Sequence, residues 1–216
     1  MRKTPHTIAI ASTKGGSGKS SITAALAVQA AREGHQVAML DWEPQGSLTL
    51  WWLMRGKPEN PRLIREEMDP ATAVRKMAGK CDWLLLDTAP ALLDQVELAV
   101  EAADFTLIPI LASAFDLMAA RAVVGLCGDH GKPFAFCLNK ENARREVLNN
   151  SAEAHLRKLG VILSEHVLDR AVYVSALNKG KTGPEHPDTK QAKEARAEIE
   201  ALWRAVKSLT ENARAQ

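Results

Sequence analysis

Residues 7–21 read TIAIASTKGGSGKSS, and this stretch indicates the fold class of the chain. It begins as a short apolar run typical of a buried strand, then passes through Gly15, Gly16 and Gly18 into a helical segment. Glycines let backbone N–H groups curve around phosphate oxygens, and the start of the following helix adds its positive dipole end. The order of strand, glycine-rich turn and helix therefore predicts a phosphate-binding turn in an α/β protein.

The polar residues of this turn indicate a nucleotide bound with magnesium. In phosphate-binding loops the lysine before the hydroxyl contacts the β- and γ-phosphates, and the hydroxyl binds Mg²⁺; Lys19 and Ser20 occupy these positions. The pattern G-x-x-x-x-G-K-[ST] is incomplete, because Thr13 stands where its first glycine belongs. A second lysine, Lys14, also lies in the turn. One lysine is enough for the terminal phosphates, so Lys14 needs a separate explanation.

Short apolar runs alternate with segments of helical periodicity along most of the chain. Strands are predicted at residues 7–12, 36–41, 83–88, 105–110, 134–139 and 161–168. Helices are predicted at residues 20–33, from 47, from 69, and at 91–103, 116–127, 144–159 and 191–212. The strands are apolar on both faces, which predicts a doubly wound, mostly parallel sheet with helices on both faces.

Composition sets the class of protein within broad limits. A chain of 216 residues with 46% hydrophobic residues is expected to form one domain over residues 1–216, ending in an amphipathic helix at about 191–212. The net charge of +2 is too small for a strongly basic nucleic-acid binder, although residues 139–216 hold 14 lysines and arginines against 11 acidic residues. Three cysteines without C-x-x-C spacing indicate buried thiols in a reducing compartment. We therefore expect a cytoplasmic protein.

Two aspartates follow predicted strands and extend the candidate site. Asp41 ends the second strand in MLDWEPQGS, and Asp87 ends the third in LLLDTAP. The carboxyl ends of parallel strands meet at one edge of the sheet, where ligands bind. Carboxylates at that edge could hold the water shell of Mg²⁺ and an attacking water molecule, or each could simply cap a helix.

These motifs resemble, in order and spacing, those of the ParA/MinD family of deviant Walker A ATPases. Residues 14–20, KGGSGKS, are similar to the family's phosphate loop with its extra lysine. LDWEPQGS resembles its D-x-D-P-Q switch with Glu43 in place of the second aspartate, and LLLDTAP resembles its Walker B segment. Residues 103–124 and 168–181 resemble two later family stretches, so that the likeness covers about residues 5–181.

The resemblance implies a role for each residue of the site. Lys14 would cross to the phosphates of a second subunit, while Asp41 would orient the attacking water, so that Lys14, Lys19 and Asp41 are the catalytic candidates. Asn139 would read adenine, although a loop-capping role is equally open. The candidate metal-binding residues are Ser20, Asp41 and Asp87. The candidate ATP-binding residues are Lys14, Gly15, Gly16, Ser17, Gly18, Lys19, Ser20, Ser21 and Asn139.

The resemblance also implies partners and a cellular task. Small ParA proteins form an ATP-bound homodimer on non-specific DNA, and a ParB-like adaptor protein stimulates hydrolysis while cargo is positioned on the nucleoid. Phosphate contacts need donors on one face and no fixed motif. The DNA-binding candidates are Arg144, Arg145, Arg170, Lys179 and Lys181.

Two other functions remain open at this point. A MinD-like switch would dock on a membrane through its C-terminal helix, but the mixed charges around that helix favour packing on the core. A metabolic ATP-dependent, carboxylate-activating enzyme shares this fold and phosphate loop. Trp51 and Trp52 could form a partner surface, although we expect one of them in the core and one partly buried.

Overall fold

The computed structural model describes residues 3–65, 67–90, 92–111, 114–141, 153–187 and 189–215. Its strands form one seven-stranded parallel sheet in the order β3-β2-β4-β1-β5-β6-β7. The strands are β1 His6–Ile10, β2 Val37–Trp42, β3 Arg62–Leu63, β4 Trp83–Thr88, β5 Phe105–Ile110, β6 Phe134–Glu141 and β7 Val167–Leu168. The predicted parallel α/β fold is confirmed.

Helices cover both faces of this sheet. They are α1 Lys19–Arg32, α2 Ser47–Met54, α3 Pro70–Met77, α4 Leu93–Ala102, α5 Ala114–Asp129, α6 Ala171–Leu177 and α7 Lys190–Ala215, with a short 3-10 helix at Gly183–Glu185. Helices α1, α2 and α7 share one hydrophobic core with the sheet, whereas α3, α4 and α5 pack on the opposite face. This arrangement places every strand between two apolar layers, as its sequence requires.

The apolar face of α7 lies in the protein core. Ile199, Leu202, Trp203 and Val206 are buried, and the Trp203 ring stacks edge-on against Trp83 of β4 at 4.8 Å between centroids. The described residues contain no helix that is long and apolar enough to cross a membrane. Because the apolar side chains of α7 are buried, they pack on the core and do not face solvent.

The last predicted strand is largely wrong. Of residues 161–168, only Val167–Leu168 form β7, and Ile162 contributes a single bridge to Phe136 of β6. The polar residues in the middle of this segment break its apolar run. The two-residue strand β3 and helix α6 were not predicted, since neither is long enough to show a period. The predicted helix at 144–159 begins outside the described residues, which are helical at 153–156.

Part of the polar segment 178–187 is buried around the 3-10 helix Gly183–Glu185. Thr182, Gly183 and Pro184 are buried, and the backbone N–H of Thr182 donates to Glu185 at 2.9 Å in a capping box. Turn residues such as these can therefore build a short capped helix.

Two smaller expectations about buried side chains also need correction. Trp51 and Trp52 are both buried, and each indole N–H donates to a backbone carbonyl. Cys127 and Cys137 are buried as expected, whereas Cys81 is partly exposed. Neither tryptophan is therefore available as a partner surface.

Candidate functional site

The phosphate loop connects the end of β1 to the start of α1. Gly16 and Gly18 have φ angles of 77° and 92°, a left-handed conformation that favours glycine. A Cβ atom on Gly18 would also lie 2.1 Å from Nδ2 of Asn139. Gly18 is the N-cap residue of α1 and has no side chain to occupy the first-turn amides. The loop is thereby suited to an anion at the positive end of the helix.

Lys19 is turned into the loop. Its side chain is only 5% exposed, and its Nζ donates to the Lys14 carbonyl at 3.3 Å. Burial lowers the pKa of Lys19, while the nearby carboxylates of Asp87 and Glu43 act in the opposite direction. A phosphate group at this place would supply the negative charge that a buried ammonium requires.

Asp41 and Asp87 lie side by side at the carboxyl edge of the sheet. They are direct partners in the register of β2 and β4, and Asp87 also pairs with Ile10, the last residue of β1. The sequence alone does not give the order of the strands. In the structure β2 and β4 are adjacent, which brings the two aspartates together. Both carboxylates therefore lie next to the phosphate loop.

Asp87 is completely buried, and neither of its oxygens has a hydrogen-bonding partner of good geometry among the described residues. Burial raises the pKa of Asp87 to about 8; the nearby Ser20 hydroxyl lowers it, the Asp41 charge raises it and Lys19 lowers it. A buried carboxylate without a partner, close to a hydroxyl group, fits a Mg²⁺ ion, which takes hard oxygen ligands or their bound waters. Ser20 and Asp87 are thus chemically suited to the predicted metal site.

Asp41 caps helix α2 from outside the helix. Its Oδ2 accepts hydrogen bonds from the backbone N–H of Thr49 at 2.7 Å and from the Thr49 hydroxyl at 2.6 Å. The N-cap residue of α2 is Gly46, which cannot provide this bond itself. The capping role left open for this aspartate is real, and it ties the candidate catalytic carboxylate to the first turn of α2.

Lys14 points in a different direction from Lys19. Its Nζ forms an ion pair with Oδ2 of Asp116 at 2.7 Å, and the Lys14 side chain is 34% exposed while Asp116 is buried. Sequence reasoning did not single out Asp116. The available signal was an acidic residue in the first turn of α5, a helix that follows the carboxyl end of β5. Lys14 is therefore held within its own subunit by a residue that could release it.

Asn139 fastens the phosphate loop to β6. Its Nδ2 donates to the Ser17 carbonyl at 2.6 Å, and its Oδ1 accepts from the backbone N–H of Lys140 at 2.9 Å. Lys140, another residue that sequence reasoning missed, donates from Nζ to the Gly16 carbonyl at 3.3 Å. Both ends of the Asn139 amide are thus engaged, with Nδ2 on the loop and Oδ1 on the backbone of β6, although the side chain also borders a small cavity of about 110 Å³.

The other loop residues occupy distinct environments. Ser17 is buried, and its hydroxyl has no hydrogen-bonding partner among the described residues, so it could donate to a ligand. Gly15 is exposed, whereas Ser20 and Ser21 are partly buried, with Ser21 lining the cavity beside Asn139.

The structure describes three of the five DNA-binding candidates. Arg144 and Arg145 lie outside the described residues. Arg170 forms ion pairs with Glu198 at 2.7 Å and with Glu194, so its charge is compensated within the subunit. Lys179 and Lys181 are exposed on either side of the buried Gly180.

The sequence matches a protein-family model, and it is also similar to individual proteins. The model of the CobQ/CobB/MinD/ParA nucleotide binding domain matches residues 8–182. "Maintenance of carboxysome distribution protein A" of Halothiobacillus neapolitanus (strain ATCC 23641 / c2) is 29% identical over 185 residues, which cover 81% of this chain and 84% of that protein. "Protein ParA" of Rhizobium radiobacter is 31% identical over 111 residues, about 50% of either chain.

Solved structures share the fold at lower identity. The ATP complex of McdA(D38A) from Cyanothece superposes with a TM-score of 0.72 at 18% identity, covering 93% of this chain and 97% of that one. The cell division protein MinD of Aquifex aeolicus gives a TM-score of 0.73 at 20% identity, with 93% and 96% covered.

Proposed function

Because the chain belongs to the CobQ/CobB/MinD/ParA nucleotide-binding family, we propose that it is a ParA-like ATPase that positions a cargo on DNA. ATP would join two subunits into a sandwich dimer that binds DNA non-specifically, and an adaptor protein would stimulate hydrolysis and release. The observation that carries this proposal is the separation of the two lysines. Lys19 is buried in its own loop, whereas the Lys14 side chain is 34% exposed and forms an ion pair with Asp116.

Within one subunit, the buried groups would hold the nucleotide. The Lys19 ammonium binds the terminal phosphates, and the Ser17 hydroxyl and the first amides of α1 donate to phosphate oxygens. Mg²⁺ would neutralise phosphate charge, with the Ser20 hydroxyl and the Asp87 carboxylate suited to hold it or its waters. Because Asp87 is buried beside Lys19, it favours the charged form of that lysine.

Asp41 would orient the attacking water molecule. One of its oxygens already accepts two hydrogen bonds from Thr49, so the carboxylate is fixed in direction. Its other oxygen accepts a long bond from the Glu43 N–H, at 3.3 Å, and can turn to a water molecule. Such orientation supplies positioning, the main contribution that proteins make to phosphoryl transfer.

Lys14 would act across the dimer. Two ATP molecules in one poorly hydrated interface bring several negative charges together, and a lysine from each partner offsets them. To reach the partner's phosphates, Lys14 would have to leave Asp116, and its partial exposure makes that movement feasible.

The proposed DNA surface rests on Lys179 and Lys181. Both are exposed, and a dimer would present two copies of each. The geometry favours a structural role for Arg170, because two glutamates already compensate its charge. Cargo of the carboxysome or plasmid type would fit the similarity to the carboxysome distribution protein and to ParA.

The two other functions have less support. A MinD-like membrane switch would need the apolar face of α7, whose residues Ile199, Leu202 and Trp203 are buried in the core. A metabolic carboxylate-activating enzyme would need a substrate pocket beside the phosphate site, and it would leave the half-exposed Lys14 without a purpose.

Binding to random-sequence duplex DNA tests the proposal. It is measured with ATP and Mg²⁺, with ADP, and without nucleotide, over a series of salt concentrations. We expect binding only with ATP, weakening steeply as salt rises because counterions are released from the phosphates. The proposal fails if low salt gives no binding in any nucleotide state, or if ADP and ATP support equal binding.

A further inference from the structure

The C-terminal end of helix α2 is hydrogen-bonded to the segment that carries Lys179 and Lys181. The indole N–H of Trp51 donates to the Lys181 carbonyl at 3.1 Å, and the Arg55 guanidinium donates to the Gly180 carbonyl at 3.1 Å. Gly180, with φ at 64°, lies so close to Arg55 that a Cβ atom on Gly180 would be 2.3 Å from the backbone nitrogen of Arg55. The backbone between the two lysines therefore rests directly on the end of α2.

An ion pair closes this contact from the other side. Two guanidinium nitrogens of Arg55 donate to the two carboxylate oxygens of Glu185, each at 2.7 Å, and neither side chain is more than 19% exposed. Burial acts to raise the pKa of Glu185, but hydrogen bonds from Arg55 and Thr182 outweigh it and lower the pKa. Bidentate pairs of this kind fix geometry as well as charge. We call Trp51, Arg55 and Glu185 the α2 clamp.

The opposite end of α2 begins at the candidate catalytic carboxylate. Asp41 accepts both hydrogen bonds from Thr49 in the first turn, and the helix runs only eight residues, about 12 Å, to its last residue, Met54. Arg55 follows immediately, and its guanidinium carbon lies 5.4 Å from the centre of the Trp51 ring. One short helix thus joins the nucleotide site to the two exposed lysines.

From these contacts we infer that Arg55 and Glu185 are positioning residues that hold Lys179 and Lys181 against duplex DNA, and that α2 links this surface to Asp41. The inference rests on the proposed DNA binding. The lysine backbone is anchored at Gly180 and Lys181 and by the capped turn that follows, while both side chains stay in solvent. Loss of the ion pair leaves a mostly buried charge without its partner and frees this segment.

A double-mutant cycle on DNA affinity tests the positioning. Arg55→Gln, Lys179→Gln with Lys181→Gln, and the three changes together are compared as ATP-bound dimers of equal content, verified by light scattering. The lysine pair should lower the slope of log affinity against log salt by about 3.6, because each of four lysines in the dimer contributes about 0.9. Arg55→Gln should likewise lower the DNA affinity and make the dependence of that affinity on salt less steep.

Non-additivity distinguishes positioning from a separate effect. If the clamp acts through the lysines, adding Arg55→Gln to the lysine variant should change the DNA affinity by less than about twofold. A twofold change is about the deviation from additivity that independent sites already show. A combined loss equal to the product of the separate losses would overturn the inference. Arg75→Gln on α3, across the sheet, is the charge-matched control and should leave the salt slope unchanged.

Two further measurements complete the test. Glu185→Gln breaks the same ion pair but keeps an oxygen for Thr182, so it should reproduce Arg55→Gln; wild-type DNA binding by both variants would overturn the clamp. Saturating duplex should change the ATP affinity of the wild type by a larger factor than that of Arg55→Gln, because linkage is reciprocal. An equal change in both proteins would overturn the link to Asp41. If the wild type binds no DNA, the proposed function and this inference fail together, whereas ATP-dependent DNA binding with an additive cycle removes the inference alone.

Discussion

Replacing Asp87 with asparagine tests whether burial controls this carboxyl group. In the nucleotide-free protein burial raises its pKa to about 8, from a usual value of 3.8. Between these two values the folded protein binds one more proton than the unfolded chain, so the free energy of unfolding falls as pH rises. Asparagine cannot ionise, and the variant lacks this dependence.

The size of the effect follows from the two pKa values. Each pH unit within the window costs about 1.4 kcal/mol. From pH 5 to pH 7 the wild type should therefore lose about 3 kcal/mol of unfolding free energy relative to Asp87→Asn. Asparagine is close in size to aspartic acid, and the folded Asp87 carboxyl group is mostly neutral at pH 7. The Asp87→Asn variant should therefore be more stable than the wild type at pH 7.

Urea unfolding at pH 5, 6 and 7 measures this difference directly. Asp69→Asn is a suitable control, because hydrogen bonds from Thr72 lower the pKa of this exposed N-cap carboxylate. Its stabilising contribution is present above the unfolded pKa and is lost only as pH falls below it, so the control difference should stay flat from pH 5 to pH 7. An equally flat difference for Asp87→Asn would refute the reasoning.

The remaining predictions concern the same edge of the sheet. Calorimetry in buffers of different ionisation enthalpy should show that Mg–ATP binding at pH 7 releases about 0.9 proton more from the wild type than from Asp87→Asn; an equal release would contradict the fit of Asp87 to a metal. Lys14→Ala should abolish ATP-dependent dimerisation and hydrolysis but keep some nucleotide binding by the monomer; light scattering that still shows the dimer would exclude a trans role. Asp116→Asn should strengthen dimerisation about 30-fold, since the dimer would release two ion pairs, each worth about 1 kcal/mol, and sedimentation that shows a weaker dimer would mean that Asp116 does not restrain Lys14. Gly18→Ala should abolish binding of a fluorescent ATP analogue, because its Cβ atom would collide with Asn139 in a left-handed turn; unchanged binding would show that the loop can shift.

Sequence reasoning succeeded where local signals and one topological rule suffice. The glycines of the phosphate loop and the apolar strands are local patterns, and the rule that ligands lie at the carboxyl edge brought Asp41 and Asp87 together before any coordinates were known. Their adjacency in the β2–β4 register agrees with that expectation. The two-residue strand β3 has no such pattern, because two residues cannot show a period.

Side-chain partners far apart in the chain could not be predicted in the same way. Asp116 lies 102 residues beyond Lys14, and Glu185 lies 130 residues beyond Arg55. No periodicity connects such pairs, and only the packing of α5 and α2 against the loops brings them within hydrogen-bonding distance.

The two lysines of the phosphate loop differ by environment rather than by sequence. Lys19 is buried and donates to the loop's own backbone, so it is fixed inside its own loop. Lys14 is half-exposed, and its ion pair with Asp116 is at the rim of the site, where a phosphate with more charge can replace one carboxylate. We therefore propose that Lys14, and not Lys19, exchanges between Asp116 and the phosphates of a second subunit. On that proposal the second lysine of the loop serves the partner's nucleotide.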